Sequence, residues 1–215
     1  IGFQTGGGTV PIVPAAVIYD LEYKSNKYPD PEMAYQACIN AKKNNIKEKA
    51  VGAAAGATCG KLLGIENASK TVWGQAAHQV GDLIVSALAI VNAFGDIKDP
   101  KSGKILAGTK NNDGTFINTE KTIINEKNIN LGFLRENTTL IVVATNASLD
   151  KAEANRVAIM SHSGLSRTIY PVHTLLDGDS IFVLAANKVK ADINQIGIIA
   201  AQVVKKAILN TTIST

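Results

Sequence analysis

The sequence predicts a layered α/β domain in which sheets pack between helices. Apolar, β-rich runs recur at 72–80, 83–91, 140–144 and 180–186, each short enough for a strand. Helix signatures alternate with the later runs: Asp150 with Glu153, and Asp192 with Gln195, each three residues apart ahead of a 3.6-period apolar pattern, as a capping box requires. With 215 residues and 46% apolar content, the chain can bury one sizeable core and reads as a single domain over 1–215.

Composition narrows the function classes. No run of 18 apolar residues occurs, so no membrane span is expected. A net charge of +4 is mildly basic, but the lysines are scattered and only 5% of residues are aromatic, which argues against nucleic acid. Cys38 and Cys59 lack metal-ligand spacing and suit a reduced, cytoplasmic protein; neither is a catalytic candidate. The first residue is Ile1, with no start methionine or signal pattern ahead of the first strand-like run.

In chain order, Gly6-Gly7-Gly8 is a turn leading into Val10 to Leu21. That run is β-branched but interrupted by Pro11 and Pro14, which cannot donate to a ladder, so its start is expected at an edge or irregular. Asp30-Pro31 opens a helix by the cap-then-proline rule, with Ala34, Ala37, Cys38 and Ala41 on one face and a solvated, charged tail from Lys42 to Lys49. Gly52, Gly56, Gly60 and Gly64 follow at intervals of four. They mean a smooth strip on a helix or sharp turns in a loop. Gly56 to Lys61 falls one residue short of a phosphate loop, and Leu62 stands where a magnesium-binding hydroxyl belongs, so nucleotide binding is not expected.

From Lys70 to Asn92 the pattern gives two strands around Gly81-Asp82, the second apolar enough to be buried on both faces. His78 has no second histidine at metal spacing and reads as structural. The stretch 97–136 is the least regular, with turn residues at Asp99-Pro100, Ser102-Gly103, 111–114 and 128–130, and a short hairpin arm expected over 115–124. The helix after Asp150 points Ala154, Val157, Ala158 and Leu165 inward; a connection over 167–173 and an Asp177-Gly178-Asp179 turn lead to the strand at 180–186. The last helix carries a stripe of Ile196, Ile199, Ala200, Val203 and Ala207, with Lys205 and Lys206 suited to its C-terminus, and the tail beyond Asn210 is expected to fray.

One junction carries candidate chemistry. Glu136-Asn137-Thr138-Thr139 runs directly into Leu140 to Thr145, which puts a hydroxyl at the start of an apolar strand. In an intact chain the Thr138 hydroxyl could attack the Asn137 carbonyl, form an ester and leave Thr138 as a new N-terminus. An α-amine with a reference pKa of about 8 can then serve as base for its own side chain. Taken alone, Asn-Thr ahead of a strand is also ordinary turn chemistry.

Four stretches add to this: 10–21 (VPIVPAAVIYDL), 52–61 (GAAAGATCGK), 91–96 (VNAFGD) and 177–182 (DGDSIF). In this order they resemble the L-aminopeptidase/D-amino-acid esterase (DmpA) family of self-processing aminopeptidases, which includes β-peptidyl aminopeptidases. The resemblance covers most of the chain and is weakest from Ile97 to Arg135. It implies an α-β-β-α sandwich of the DmpA/ornithine acetyltransferase type, cut into an α part (1–137) and a β part (138–215), with a substantial N-terminal segment of the family absent. It implies catalytic Thr138, an oxyanion donor at Asn92, an active-site Tyr19 (equally readable as a core tyrosine), and Asp177 and Asp179 holding the nucleophile. Asp177 replaces the family's serine. The implied substrate is a small peptide, amide or ester, with no metal or organic cofactor and an oligomer of αβ units. Two rivals are an acyltransferase using the same acyl-threonine and an inactive remnant.

Overall fold

The computed structural model describes residues 2–41, 50–127, 131 and 137–213. Its strands are β1 (Phe3–Thr5), β2 (Gly8–Val10), β3 (Thr58–Cys59), β4 (Ser69–Lys70), β5 (Gly74–Val80), β6 (Leu83–Asn92), β7 (Asp96–Lys98), β8 (Ile105–Ala107), β9 (Thr138–Ala147), β10 (Ile169–Tyr170) and β11 (Ser180–Val189). Its α-helices are α1 (Pro31–Asn40), α2 (Thr119–Asn125), α3 (Lys151–Ser166) and α4 (Ile193–Leu209).

The principal sheet runs β11-β9-β6-β5. β6 is antiparallel to both neighbours, joined to β5 through Gly81 at a φ of 55°. β9 and β11 are parallel, so the chain must cross over between them, and α3 does so. Period-2 alternation decides what each face carries. Val85, Ala87, Ala89 and Val91 of β6 and Ile141 and Val143 of β9 point into a core with Val157 and Leu165 of α3 and Ile196, Ala200, Val203, Val204 and Ala207 of α4. α3 and α4 cross closely at Gly164, where a Cβ would lie 2.7 Å from the Ala201 carbonyl oxygen.

The capping box at Asp150 and Glu153 is present, and Asp192 caps α4 by accepting from the amides of Asn194 and Gln195. α1 begins as expected, with Asp30 accepting from the Met33 amide at 2.8 Å, but none of its residues is buried. The charged tail 42–49 lies outside the described residues, as do 128–130 and Glu136.

Several expectations are corrected. The face of β6 opposite the helices is uncovered among the described residues: Ile84 is 41% exposed, Leu88 38% and, on β11, Leu184 57%. This sheet therefore buries one face, not both. The region 115–124 is not a hairpin, because Asn118 accepts from the Lys121 amide and starts α2. The four spaced glycines, left open between a helical strip and loop turns, lie outside the α-helices, three of them at positive φ. The tail does not fray at Asn210: Thr211 is buried, its carbonyl accepts from Val72 N–H, and Thr212 bridges to Thr71. The connection over 167–173 contains β10, which pairs with β7. Among the described residues no helix is long and apolar enough to cross a membrane.

Candidate active site

Thr138 is the first residue of β9 and pairs with Asn92, the last residue of β6. Cross-strand partners project from the same face, so the two candidates lie side by side on the face away from α3 and α4. The residue ahead, Asn137, is held by the turn before β11. Its amide donates to the Leu176 carbonyl at 3.3 Å, and the Gly178 amide donates to its carbonyl at 2.8 Å. Thr138 Oγ1 donates to that same carbonyl at 2.6 Å. The Asn137 carbonyl thus accepts from a backbone N–H and from the hydroxyl that follows it. Gly178 suits this place because a Cβ there would stand 3.2 Å from Thr138 Oγ1, closer than a methyl group sits comfortably.

The two acids take different partners. Asp177 Oδ1 accepts from Phe94 N–H at 3.1 Å and Oδ2 from the Thr174 hydroxyl at 2.7 Å. Burial pushes its carboxyl above the usual range, opposed by those hydrogen bonds. Asp179 Oδ1 accepts from Thr139 N–H at 2.9 Å, and its Oδ2 lies 2.9 Å from His173 Nδ1. The acid of the turn therefore grips the backbone immediately after Thr138.

Asn92 is 1% exposed. Its Oδ1 accepts from Lys61 Nζ at 2.8 Å and Thr58 N–H at 3.2 Å, which fixes the amide's orientation, and Nδ2 donates to the Tyr19 carbonyl at 2.9 Å. Lys61 is buried with it, and desolvation lowers its pKa to about 8. Tyr19 is 41% exposed, so it is a surface residue and not a core tyrosine. It borders an open cleft of about 360 Å³ with Val17, Thr138, Leu176, Asp177 and Gly178. Of the five candidates, Thr138, Tyr19 and Asp177 meet at this cleft, while Asn92 and Asp179 are buried and bonded to its wall.

Two further groups went unread in the sequence. Lys61 was visible only as the end of a failed phosphate-loop pattern, and its tie to Asn92 depends on long-range pairing. His173 carried no local signal. Cys59 is buried, its thiol pushed up to about 12 mainly by desolvation, which agrees with its exclusion as a nucleophile.

The family model described as Peptidase family S58 matches residues 3–215. The chain belongs to peptidase family S58. A curated relative, an uncharacterized aminopeptidase of Mycobacterium tuberculosis, is 36% identical over 197 residues, which cover 87% of this chain and 54% of the relative. Among solved structures, a Burkholderia sp. beta-aminopeptidase aligns over 86% of this chain and 52% of its own, at 16% identity and a TM-score of 0.60. The L-aminopeptidase D-Ala-esterase/amidase of Ochrobactrum anthropi, described as a variant of the Ntn hydrolase fold, aligns over 84% of this chain and 48% of its own, at 14% identity and a TM-score of 0.54. The S58 chain shares that α/β fold, and it spans about half the length of the proteins it matches.

Proposed function

We propose that this S58 chain is a self-activating hydrolase that cuts its own backbone between Asn137 and Thr138 and then uses Thr138 to hydrolyse an amide or ester beside a free amino group. The supporting observation is the Asn137 carbonyl, held at 2.8 Å by Gly178 N–H with the Thr138 hydroxyl at 2.6 Å. Thr138 Oγ adds to the carbonyl carbon, the C–N bond breaks, and the hydroxyl proton ends on the departing nitrogen. An ester joins Asn137 to Thr138 until water opens it, restoring the hydroxyl and leaving a carboxylate on Asn137. The α part is then 1–137 and the β part 138–215.

In turnover the freed α-amine of Thr138 takes the hydroxyl proton as Oγ attacks the substrate carbonyl, and later returns it to the leaving amine or alcohol. Negative charge on the substrate oxygen is met by neutral donors that cannot titrate, the Asn92 amide and Gly178 N–H. Asn92 Nδ2 carries two hydrogens, so one can hold the Tyr19 carbonyl while the other faces substrate. Asp177 and Asp179 orient the new amine. Tyr19 and the apolar lining of Val17 and Leu176 receive the substrate, a small peptide, amide or ester. Thr138→Ala is expected to give one uncut band on a denaturing gel and no hydrolysis of an aminoacyl anilide; splitting in that variant would remove Thr138 from the mechanism.

A further inference from the structure

On the strength of this reading of Thr138, we propose that His173 is a positioning residue whose ring nitrogen Nδ1, poised against Asp179, steadies that acid and through it the backbone at the nucleophile. The Asp179 side chain is 3% exposed, and a buried carboxylate oxygen left without a donor is costly. One oxygen is taken by Thr139 N–H. The other, Oδ2, has no donor in hydrogen-bonding geometry among the described residues, and His173 Nδ1 stands 2.9 Å from it, close enough to donate after a small turn of the ring. A carboxylate oxygen accepts and a ring N–H donates, so the two atoms are chemically matched.

The backbone supports the same assignment. His173 has a φ of 56°, a left-handed conformation that is strained for a residue with a Cβ. Glycine would sit there without strain but would supply no donor. From α3, the His162 ring stands 5.0 Å from the His173 ring, tilted by 57°, and flanks it. The next residue, Thr174, donates to Asp177. One short segment thus lies against both acids of the turn: His173 faces Asp179, and Thr174 donates to Asp177.

Two substitutions separate donor from backbone. His173→Asn tolerates the left-handed conformation and places an amide nitrogen the same number of bonds from Cα as Nδ1. His173→Gly relieves the strain and removes the donor. The S58 chain as purified is compared with both variants for its N-terminal sequences and for kcat and KM on an aminoacyl anilide. His173→Gly is expected to lose about 10- to 100-fold in kcat, with KM within about two-fold, because a shift of less than an ångström at the nucleophile is costly. His173→Asn is expected to stay within about three-fold of the unsubstituted protein, and added imidazole to restore part of the glycine variant's rate. Full kcat in His173→Gly, or an equal loss in His173→Asn, overturns the role of the donor while leaving Thr138 in place. An unsubstituted protein with no N-terminus at Thr138 overturns both readings, and the N-terminal sequences tell these failures apart.

Discussion

Raising the pH from about 7 to about 9 is expected to stabilise the folded chain through Lys61. In the unfolded chain its ammonium has the ordinary value of 10.5, whereas burial beside Asn92 lowers it to about 8. Below about pH 8 the native state therefore holds a charge it has paid to desolvate. The gap corresponds to about 3 kcal/mol of destabilisation. Between the two values the unfolded state binds more protons than the native state, so stability rises with pH across that window. About 1 kcal/mol of the total is recovered between pH 7 and 9.

Cys59 works in the opposite sense. Its thiol is pushed from 9.0 to about 12, so the native state keeps its proton longer and stability falls above about pH 9, removing a few tenths of a kcal/mol by that point. Comparison with Lys61→Met isolates the lysine, because Cys59 is common to both proteins. The assay is urea denaturation in a Thr138→Ala background, where one uncut chain unfolds. The Lys61 protein is expected to gain about 1 kcal/mol relative to Lys61→Met between pH 7 and 9. Parallel pH profiles for the two proteins would refute a lysine buried against Asn92.

Asn92→Ala removes the acceptor for Lys61 Nζ and Thr58 N–H and the donor to the Tyr19 carbonyl; a loss of about 2 to 4 kcal/mol is expected in urea denaturation. The same substitution is expected to lower kcat about 100- to 1,000-fold on an aminoacyl anilide, the cost of one oxyanion donor. Gly164→Ala drives a methyl group toward the Ala201 carbonyl and Val204, which is expected to destabilise by about 1 to 3 kcal/mol by thermal unfolding. At Gly197 the three atoms nearest an added methyl all belong to the flexible Met160 side chain, so Gly197→Ala is expected to cost less.

Local chemistry made the helices legible. Asp30, Asp150 and Asp192 each announce a cap within three residues, and each cap is present. Asn118 caps α2 in the same way, in a stretch that reads from sequence as a hairpin arm. Burial was harder to read, because an apolar strand reveals what could be covered and not what covers it. Ile84 and Leu88 have no partner layer among the described residues. The tail was misjudged because Thr211 and Thr212 are anchored by Val72 and Thr71, far away in sequence. The site candidates came from motif order, while their mutual geometry required the β6–β9 register and the turn before β11. The groups that Lys61 and His173 face lie 31 and 6 positions away, a relation that no local pattern encodes.

The self-cleavage on which the account depends is tested most directly by intact mass together with N-terminal sequencing of the purified wild-type protein. Two polypeptides are expected, the second beginning Thr138-Thr139-Leu140-Ile141. A single polypeptide continuous through Asn137 and Thr138 in catalytically active protein would contradict it.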